Sequence, residues 1–168
     1  MRLALLTGVV LLAVPLAAQT SDPLRSLTSP PPPPPRHLTV STTAGARSVK
    51  PGGRVSLFLD IAPKQGIHVY APGAASYVPI AVKLDSHVSV RAGKLTYPQS
   101  EILFFAPLGE RVPVYQKPFR LTQGVTIAGS VKPGTTIALT GTVDYQACDD
   151  KVCFVPASVP VSWTIDVR

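Results

Sequence analysis

The chain has 168 residues and carries 16 lysines and arginines against 9 aspartates and glutamates, a formal net charge of +7. These basic residues are scattered and form no run interleaved with aromatic side chains, which argues against a nucleic-acid-binding protein. The charge is better explained by solubility or by weak attraction of acidic partners.

Residues 1–18 have the pattern of an export signal peptide. Arg2 provides a short positive region, and an apolar run follows over residues 3–16. This run is shorter than the roughly 20 apolar residues that a membrane-spanning helix needs, although an uncleaved anchor is the alternative to cleavage. We therefore predict a signal peptide, a periplasmic location, where a cysteine pair can stay oxidised, and no transmembrane segment in the mature chain.

Residues 19–36 are rich in serine, threonine and proline and contain an unbroken proline run at residues 30–35. Such a run forms a stiff, extended segment, which predicts a proline-rich linker. Residues 37–168 have the usual size of one domain and enough apolar side chains for a hydrophobic core. We therefore predict a single domain over residues 37–168.

Strand patterns dominate this domain, because apolar side chains recur at every second position in several segments. The clearest segments are residues 55–61, 78–84, 137–147 and 159–167. Shorter candidates are residues 38–41, 67–70, 88–91 and 119–128. No longer segment has a convincing helical period.

About seven to nine short strands with one apolar and one polar face predict an all-β fold, an immunoglobulin-like antiparallel β-sandwich. Antibody-type domains place two cysteines far apart in sequence to bridge their sheets. Here both cysteines lie within residues 148–153, after one predicted strand and before another. We therefore place the pair in an exposed hairpin between the last two strands.

Cys148 and Cys153 are the only cysteines, and they could form a structural staple, bind a metal or act as a redox pair. Closing so short a loop contributes about 2 kcal/mol, against roughly 4.7 kcal/mol for a loop of 100 residues. Structural zinc needs four ligands, and His37, His68 and His87 stand at no recognised ligand spacing. We therefore expect no metal and favour the redox pair, with the staple left open.

The segment between the cysteines is acidic. Asp149 and Asp150 disfavour a thiolate beside them, and Lys151 offsets this only in part. Neither cysteine is therefore expected to be a strongly activated nucleophile. This favours exchange with a docked protein over indiscriminate reduction.

Residues 145–148, Tyr-Gln-Ala-Cys, and 153–156, Cys-Phe-Val-Pro, are similar to the Tyr-Gln-x-Cys…Cys-x-x-Pro signature of the N-terminal domain of DsbD. DsbD is a bacterial thiol:disulfide interchange protein. Residues 64–70 resemble a family segment that ends in tyrosine, and residues 97–105 followed by 112–115 resemble the segment that carries its cap loop. The resemblance implies an immunoglobulin-like periplasmic domain with its redox pair in a hairpin.

The resemblance also implies roles for individual residues. The family's second cysteine forms mixed disulfides with partners, which corresponds to Cys153, and Cys148 is then the resolving cysteine. An aromatic cap shields the family's disulfide until a partner docks, and the candidates here are Phe104 and Phe105, with Tyr70 lining the same pocket. Ordinary core packing is the alternative for these aromatic side chains. No bound cofactor is implied.

The family relays electrons from a thioredoxin-like domain to other periplasmic proteins. DsbD continues into a membrane domain and a thioredoxin-like domain, whereas this sequence ends at Arg168. The expected partners are therefore thioredoxin-like periplasmic proteins or a membrane electron carrier on a separate chain. The leading hypothesis is a thiol:disulfide interchange module, a component of a thiol-disulfide oxidoreductase of the protein-disulfide reductase type. The alternative is a non-catalytic immunoglobulin-like protein-binding module with a structural disulfide.

Overall fold

The computed structural model describes residues 37–106 and 108–168. The predicted signal peptide, residues 1–18, and linker, residues 19–36, lie outside the described residues. Every regular element within the described ranges is a β-strand. This part of the chain has no helix with the length and hydrophobicity that crossing a membrane requires.

Twelve strands make up the described part of the domain, and they form three four-stranded sheets. In chain order the strands are β1 (Leu38–Ala44), β2 (Ser48–Val49), β3 (Arg54–Pro63), β4 (His68–Tyr70), β5 (Ala81–Leu84), β6 (Val90–Thr96), β7 (Glu101–Phe105), β8 (Glu110–Tyr115), β9 (Phe119–Ile127), β10 (Thr136–Tyr145), β11 (Ala147–Cys148) and β12 (Ala157–Val167).

The first sheet has the order β1-β3-β9-β6 and the second the order β2-β12-β10-β5. Their neighbouring strands are antiparallel except for β2, which runs parallel to β12. Side chains from both sheets form one buried cluster, as the apolar alternation predicts. The indole Nε1 of Trp163 in β12 also donates to the carbonyl of Phe58 in β3 at 3.3 Å. The predicted all-β, immunoglobulin-like sandwich is confirmed.

Alternation identified the longest strands correctly. Burying each large aliphatic side chain contributes about 1.5–3 kcal/mol, which holds these strands in register. The buried positions of β3, β10 and β12 are Val55, Leu57, Leu59, Ile61, Ile137, Leu139, Val143, Tyr145, Val159, Val161, Trp163, Ile165 and Val167.

The segment predicted at residues 78–84 is a strand only over Ala81–Leu84. The backbone of Val78 pairs instead with Gln146, so the chain joins the second sheet later than its pattern suggests.

The third sheet has the order β11-β4-β8-β7; its β4 was predicted as a strand, and β11 was predicted only as the end of the segment at residues 137–147, which the structure divides at Gln146. Strands of two or three residues are too short to show a period, and β7 has an almost continuous apolar sequence. The strands that raise the number to twelve are β7, β8 and β11 of the third sheet and β2 of the second. It places the cysteine hairpin at one edge and the β7–β8 hairpin at the other.

Close packing of β5 on β10 makes Gly141 sensitive to substitution. A methyl group at Gly141 would meet the backbone carbonyl of Lys83 in β5. We expect Gly141→Ala to lower the free energy of unfolding by about 1–3 kcal/mol in urea titrations. Gly124→Ala, at a strand glycine with no atom within 4 Å of the added carbon, is the control and should change it little. Equal stability of the two variants would contradict this packing argument.

Candidate redox site

A tight hairpin carries the two cysteines. The amide of Asp149 donates to the carbonyl of Val152 at 3.0 Å, and the amide of Phe154 donates to the carbonyl of Ala147 at 2.8 Å. Between these two hydrogen bonds, Cys148 lies directly opposite Cys153 in the hairpin. Their Cα atoms are 4.0 Å apart, and a disulfide joins the two residues. The hairpin therefore brings the two sulfurs together through local backbone pairing.

The side chain of Asp149 closes the tip of this hairpin. Its Oδ1 accepts hydrogen bonds from the amides of Lys151 and Val152, both at 2.8 Å. These amides, that of Val152 first, hold the pKa of Asp149 below its usual range. The carboxylate is thus committed to the turn and remains charged at neutral pH.

The two cysteines differ sharply in exposure. Cys148 is fully buried, whereas Cys153 is exposed at the surface. A thiolate exchanges by attacking one sulfur in line with the bond to the other. Cys153 is therefore the member of the pair that lies at the surface, and Cys148 is the member that lies inside the protein.

Tyr70 contacts both sulfurs. Its hydroxyl lies 3.1 Å from Cys148 Sγ and 3.4 Å from Cys153 Sγ, and it is the donor because disulfide sulfurs carry no hydrogen. Burial first, then Tyr77 and Glu110, raises the pKa of Tyr70 well above its ordinary value. The hydroxyl therefore keeps its proton throughout the neutral range.

A second tyrosine supports Tyr70. The rings of Tyr70 and Tyr77 stack with centroids 4.0 Å apart, and the Tyr77 hydroxyl donates to Glu110 Oε2 at 2.9 Å. Burial and this carboxylate raise the pKa of Tyr77. The pair fixes the ring whose hydroxyl faces the disulfide.

His68 lies directly opposite Cys148 in the β4–β11 pair. Its side chain is 3% exposed, its ring approaches Tyr70 and Phe105 edge-on, and its Nε2 has no hydrogen-bond partner. Burial lowers the pKa of His68, and nearby Asp150 and Asp149 oppose this shift. No spacing in the sequence singles out His68, and the structure places its side chain in a buried position beside the site.

The β7–β8 hairpin, residues 101–106 and 108–115, forms the opposite edge of the third sheet and is named the cap hairpin below. Phe105 is 7% exposed and packs in the same cluster as Tyr70 and Cys148. Phe104 is 56% exposed and lies under the guanidinium of Arg111, 5.8 Å from its ring centroid. The structure therefore brings Phe105 and Tyr70 to the disulfide and turns Phe104 away from that cluster.

The contacts of the other two histidines are with residues other than the cysteines. The ring of His37 stacks on Phe154 with centroids 3.9 Å apart, and Nδ1 of His87 accepts the amide of Ser89. Within the described residues, no group of three or more His, Cys, Asp or Glu side chains is arranged to hold a metal ion.

Gln146 has a structural role that the sequence did not reveal. Its Oε1 accepts the amide of Val78 at 3.1 Å, and its Nε2 donates to the carbonyl of Phe154 at 3.3 Å. These bonds replace ladder pairing where the chain passes from β10 to β11. Tyr77 and Glu110 were also missed, and no local pattern marks either residue.

Comparison with known protein families identifies the family of the chain. A family model described as "Thiol:disulfide interchange protein DsbD, N-terminal" matches residues 36–162. Because the match covers most of the chain, the chain belongs to the DsbD N-terminal domain family, as its cysteine motif predicted. It is a thiol:disulfide interchange domain of a periplasmic type, and its family implies interaction with other redox proteins.

Three solved structures show similarity to the chain. The N-terminal domain of DsbD from Neisseria meningitidis in its reduced form has 20% identity, covers 73% of this chain and 82% of its own, and has a TM-score of 0.42. A family 123 glycoside hydrolase from Clostridium perfringens has 9% identity, and the match covers 77% of this chain and 27% of the hydrolase chain with a TM-score of 0.40. AggA, the major subunit of aggregative adherence fimbriae type I from Escherichia coli, has 12% identity, and the match covers 79% of this chain and 97% of the AggA chain with a TM-score of 0.31. No curated protein matches the chain.

Gln146 should contribute measurably to stability. Gln146→Ala removes two side-chain hydrogen bonds and leaves their backbone partners at Val78 and Phe154 without them. We expect the free energy of unfolding of the disulfide-bonded protein to fall by about 1–2 kcal/mol in urea titrations. Gln116→Ala, at an exposed position, is the matched control and should stay within about 0.5 kcal/mol of the unaltered protein. An equal loss in both variants would contradict the bridging role of Gln146.

Proposed function

We propose that this domain relays electron pairs between thioredoxin-like proteins and other periplasmic proteins through Cys148 and Cys153. It would act as a component of a thiol-disulfide oxidoreductase of the protein-disulfide reductase type. The observation that carries the proposal is the unequal exposure of the two cysteines in a chain of this family. Exposed Cys153 is the entry sulfur, and buried Cys148 is the resolving sulfur.

Reduction begins when a partner thiolate attacks Cys153 Sγ. A bond forms between the partner sulfur and Cys153, the Cys148–Cys153 bond breaks, and its electron pair leaves on Cys148. The partner's second thiolate then attacks the partner's own sulfur in this mixed disulfide. The partner dithiol is thereby oxidised to a disulfide, and both cysteines of the domain, after taking up protons, are reduced. The reverse sequence passes the electron pair to an oxidised protein.

Tyr70 supports this exchange by donating to the sulfur that leaves. Its hydroxyl is already 3.1 Å from Cys148 Sγ, where negative charge develops in a buried place. A hydrogen bond to a charged group contributes about 1.5–3 kcal/mol, more than one between neutral groups. The site therefore favours departure of Cys148 over departure of Cys153.

The surface around Cys153 supports docking of a protein partner. Val152 and Val155 flank it and are 51% and 85% exposed. Apolar side chains at the centre of an interface gain from losing contact with water when a partner covers them. Asp149, which stays charged, discourages a free thiolate at Cys153 and favours reaction within a complex.

Several further features stay proposals of the same kind. The electrons would come from a thioredoxin-like protein or a membrane electron carrier. The signal peptide, the linker and a single domain over residues 37–168 complete the proposed organisation. No bound cofactor is invoked, because the disulfide itself carries the two electrons.

Replacing one cysteine should trap the partner. With a thioredoxin-like protein that keeps only its attacking cysteine, Cys148→Ser should accumulate a mixed disulfide through exposed Cys153, seen by non-reducing electrophoresis. Cys153→Ser is the control and should give little conjugate, because Cys148 is buried. Preferential trapping through Cys148 would reverse the assigned roles. If thioredoxin-type reductants left the disulfide of the unaltered protein intact, the relay would be wrong and the structural staple would remain.

The cap hairpin offers a matched pair of variants. Phe105→Ala removes a buried ring from the cluster around Cys148 and should lower the cost of exposing the disulfide by about 1–2 kcal/mol. Reduction by glutathione should then accelerate by a factor of roughly 5–30. Phe104→Ala, at an exposed ring, should leave the rate nearly unchanged. Equal rates in the two variants would show that Phe105 does not shield the disulfide.

A further inference from the structure

We propose that His68 accepts the proton of the Cys148 thiol in the step that recloses the disulfide. This inference rests on the proposed function, because it concerns the half of the exchange in which the reduced domain is oxidised. In that step Cys148 must attack the mixed disulfide at Cys153, and only a thiolate is an effective nucleophile. A thiol buried as deeply as Cys148 needs a base within the protein.

The position of His68 suits this role. Directly opposed residues of antiparallel strands project from the same face, with their Cβ atoms roughly 4.5–5.5 Å apart. His68 and Cys148 form such a pair, and their neighbours Val69 and Ala147 point to the main core instead. Once the disulfide opens, rotation of the Cys148 side chain can bring its sulfur to the imidazole.

The unpartnered nitrogen of His68 is the second observation. Nε2 of His68 is buried and forms no hydrogen bond in the disulfide-bonded domain. Buried polar atoms are nearly always paired, so an unpaired one at a reactive site indicates a partner in another state. The thiol of Cys148, which does not exist while the disulfide is closed, is the group that reduction supplies beside it.

The other ionisable groups around the sulfurs are poor bases for this proton. Tyr70 stays protonated and is a donor to both sulfurs. The Asp149 carboxylate already accepts hydrogen bonds from two backbone amides. The Glu110 carboxylate accepts a hydrogen bond from Tyr77, which lies between it and Tyr70. Asp150 is exposed on the turn.

The charges that face His68 suit a base that is neutral at rest. From its own strand it faces Tyr70, from the hairpin turn Asp149 and Asp150, and from the cap hairpin only the ring of Phe105. Burial lowers the pKa of His68, so the imidazole is uncharged at pH 7 and can take a proton. The two carboxylates then stabilise the imidazolium while it exists.

The step balances as follows in atoms and electrons. The proton of Cys148 moves to Nε2 of His68, and Cys148 Sγ attacks Cys153 Sγ. The Cys148–Cys153 bond forms as the bond from Cys153 to the partner breaks, and the electron pair leaves on the partner sulfur. The imidazolium then loses its proton to the departing thiolate or to water, which restores neutral His68.

Two-phase kinetics with an aromatic disulfide separate this step from the entry step. When the reduced protein reacts with one equivalent of dithiobis(nitrobenzoate), attack by Cys153 releases the first coloured thiolate. Reclosure by Cys148 then releases the second.

His68→Gln should slow the second phase on the order of 100-fold at pH 7 and leave the first phase nearly unchanged. His37→Gln, at a histidine that stacks on Phe154, is the matched control and should change neither phase.

The pH profile of the unaltered protein gives a test that needs no variant. The second phase should be level above pH 6.5 and fall as the pH drops through the lowered pKa of His68, because the protonated imidazole cannot accept the proton. The pH at the midpoint of this fall should equal the pH at the midpoint of the His68 titration, measured by NMR in the reduced protein. In His68→Gln the second phase should instead rise about tenfold per pH unit across the neutral range, as the thiolate fraction of Cys148 does.

A second phase that keeps its rate and profile in His68→Gln, or a midpoint that differs from that of His68 by NMR, would overturn the proposal. His68→Phe, which keeps a buried aromatic ring, provides a second variant if His68→Gln does not fold. Failure of the proposed function has a different signature. The aromatic disulfide would still react in two phases, but no thioredoxin-like protein would exchange with the domain.

Discussion

The passage of the chain from the second sheet to the third at Gln146 is the constraint on which the redox hairpin depends. Up to Tyr145 the chain pairs with β12 and β5, and from Ala147 it pairs with β4. The amide side chain of Gln146 makes the change possible, because it bonds backbone groups that the interrupted ladder leaves free. This places Cys148 against Tyr70, inside the protein, while the return strand carries Cys153 outside.

The free energies of the fold allow the disulfide to open without unfolding the domain. Closing so short a loop contributes about 2 kcal/mol, and each large aliphatic side chain in the core contributes about 1.5–3 kcal/mol. The main cluster contains many such side chains from both principal sheets. Stability therefore resides mainly in the sandwich, and the bond between the sulfurs is left available for chemistry.

The sequence was sufficient for the parts of the structure that repeat or that are local. Alternation over long segments predicted β3, β10 and β12, and the position of the cysteines between the last two predicted strands predicted their hairpin. It was insufficient where contacts join distant segments: Tyr70 and Cys148 are separated by 78 positions, and only the family resemblance placed Tyr70 near the disulfide. The same is true of His68, whose importance follows from its register with Cys148.

The hydrogen bond between Tyr77 and Glu110 has a mechanical consequence for the sulfurs. Glu110 begins β8 just after the tip of the cap hairpin, and Tyr77 covers the ring of Tyr70. The carboxylate that begins β8 thus anchors, through Tyr77, the ring whose hydroxyl contacts both sulfurs. The outer edge of the third sheet and the sulfur contact deep in the domain therefore share one support, a single carboxylate at the start of β8.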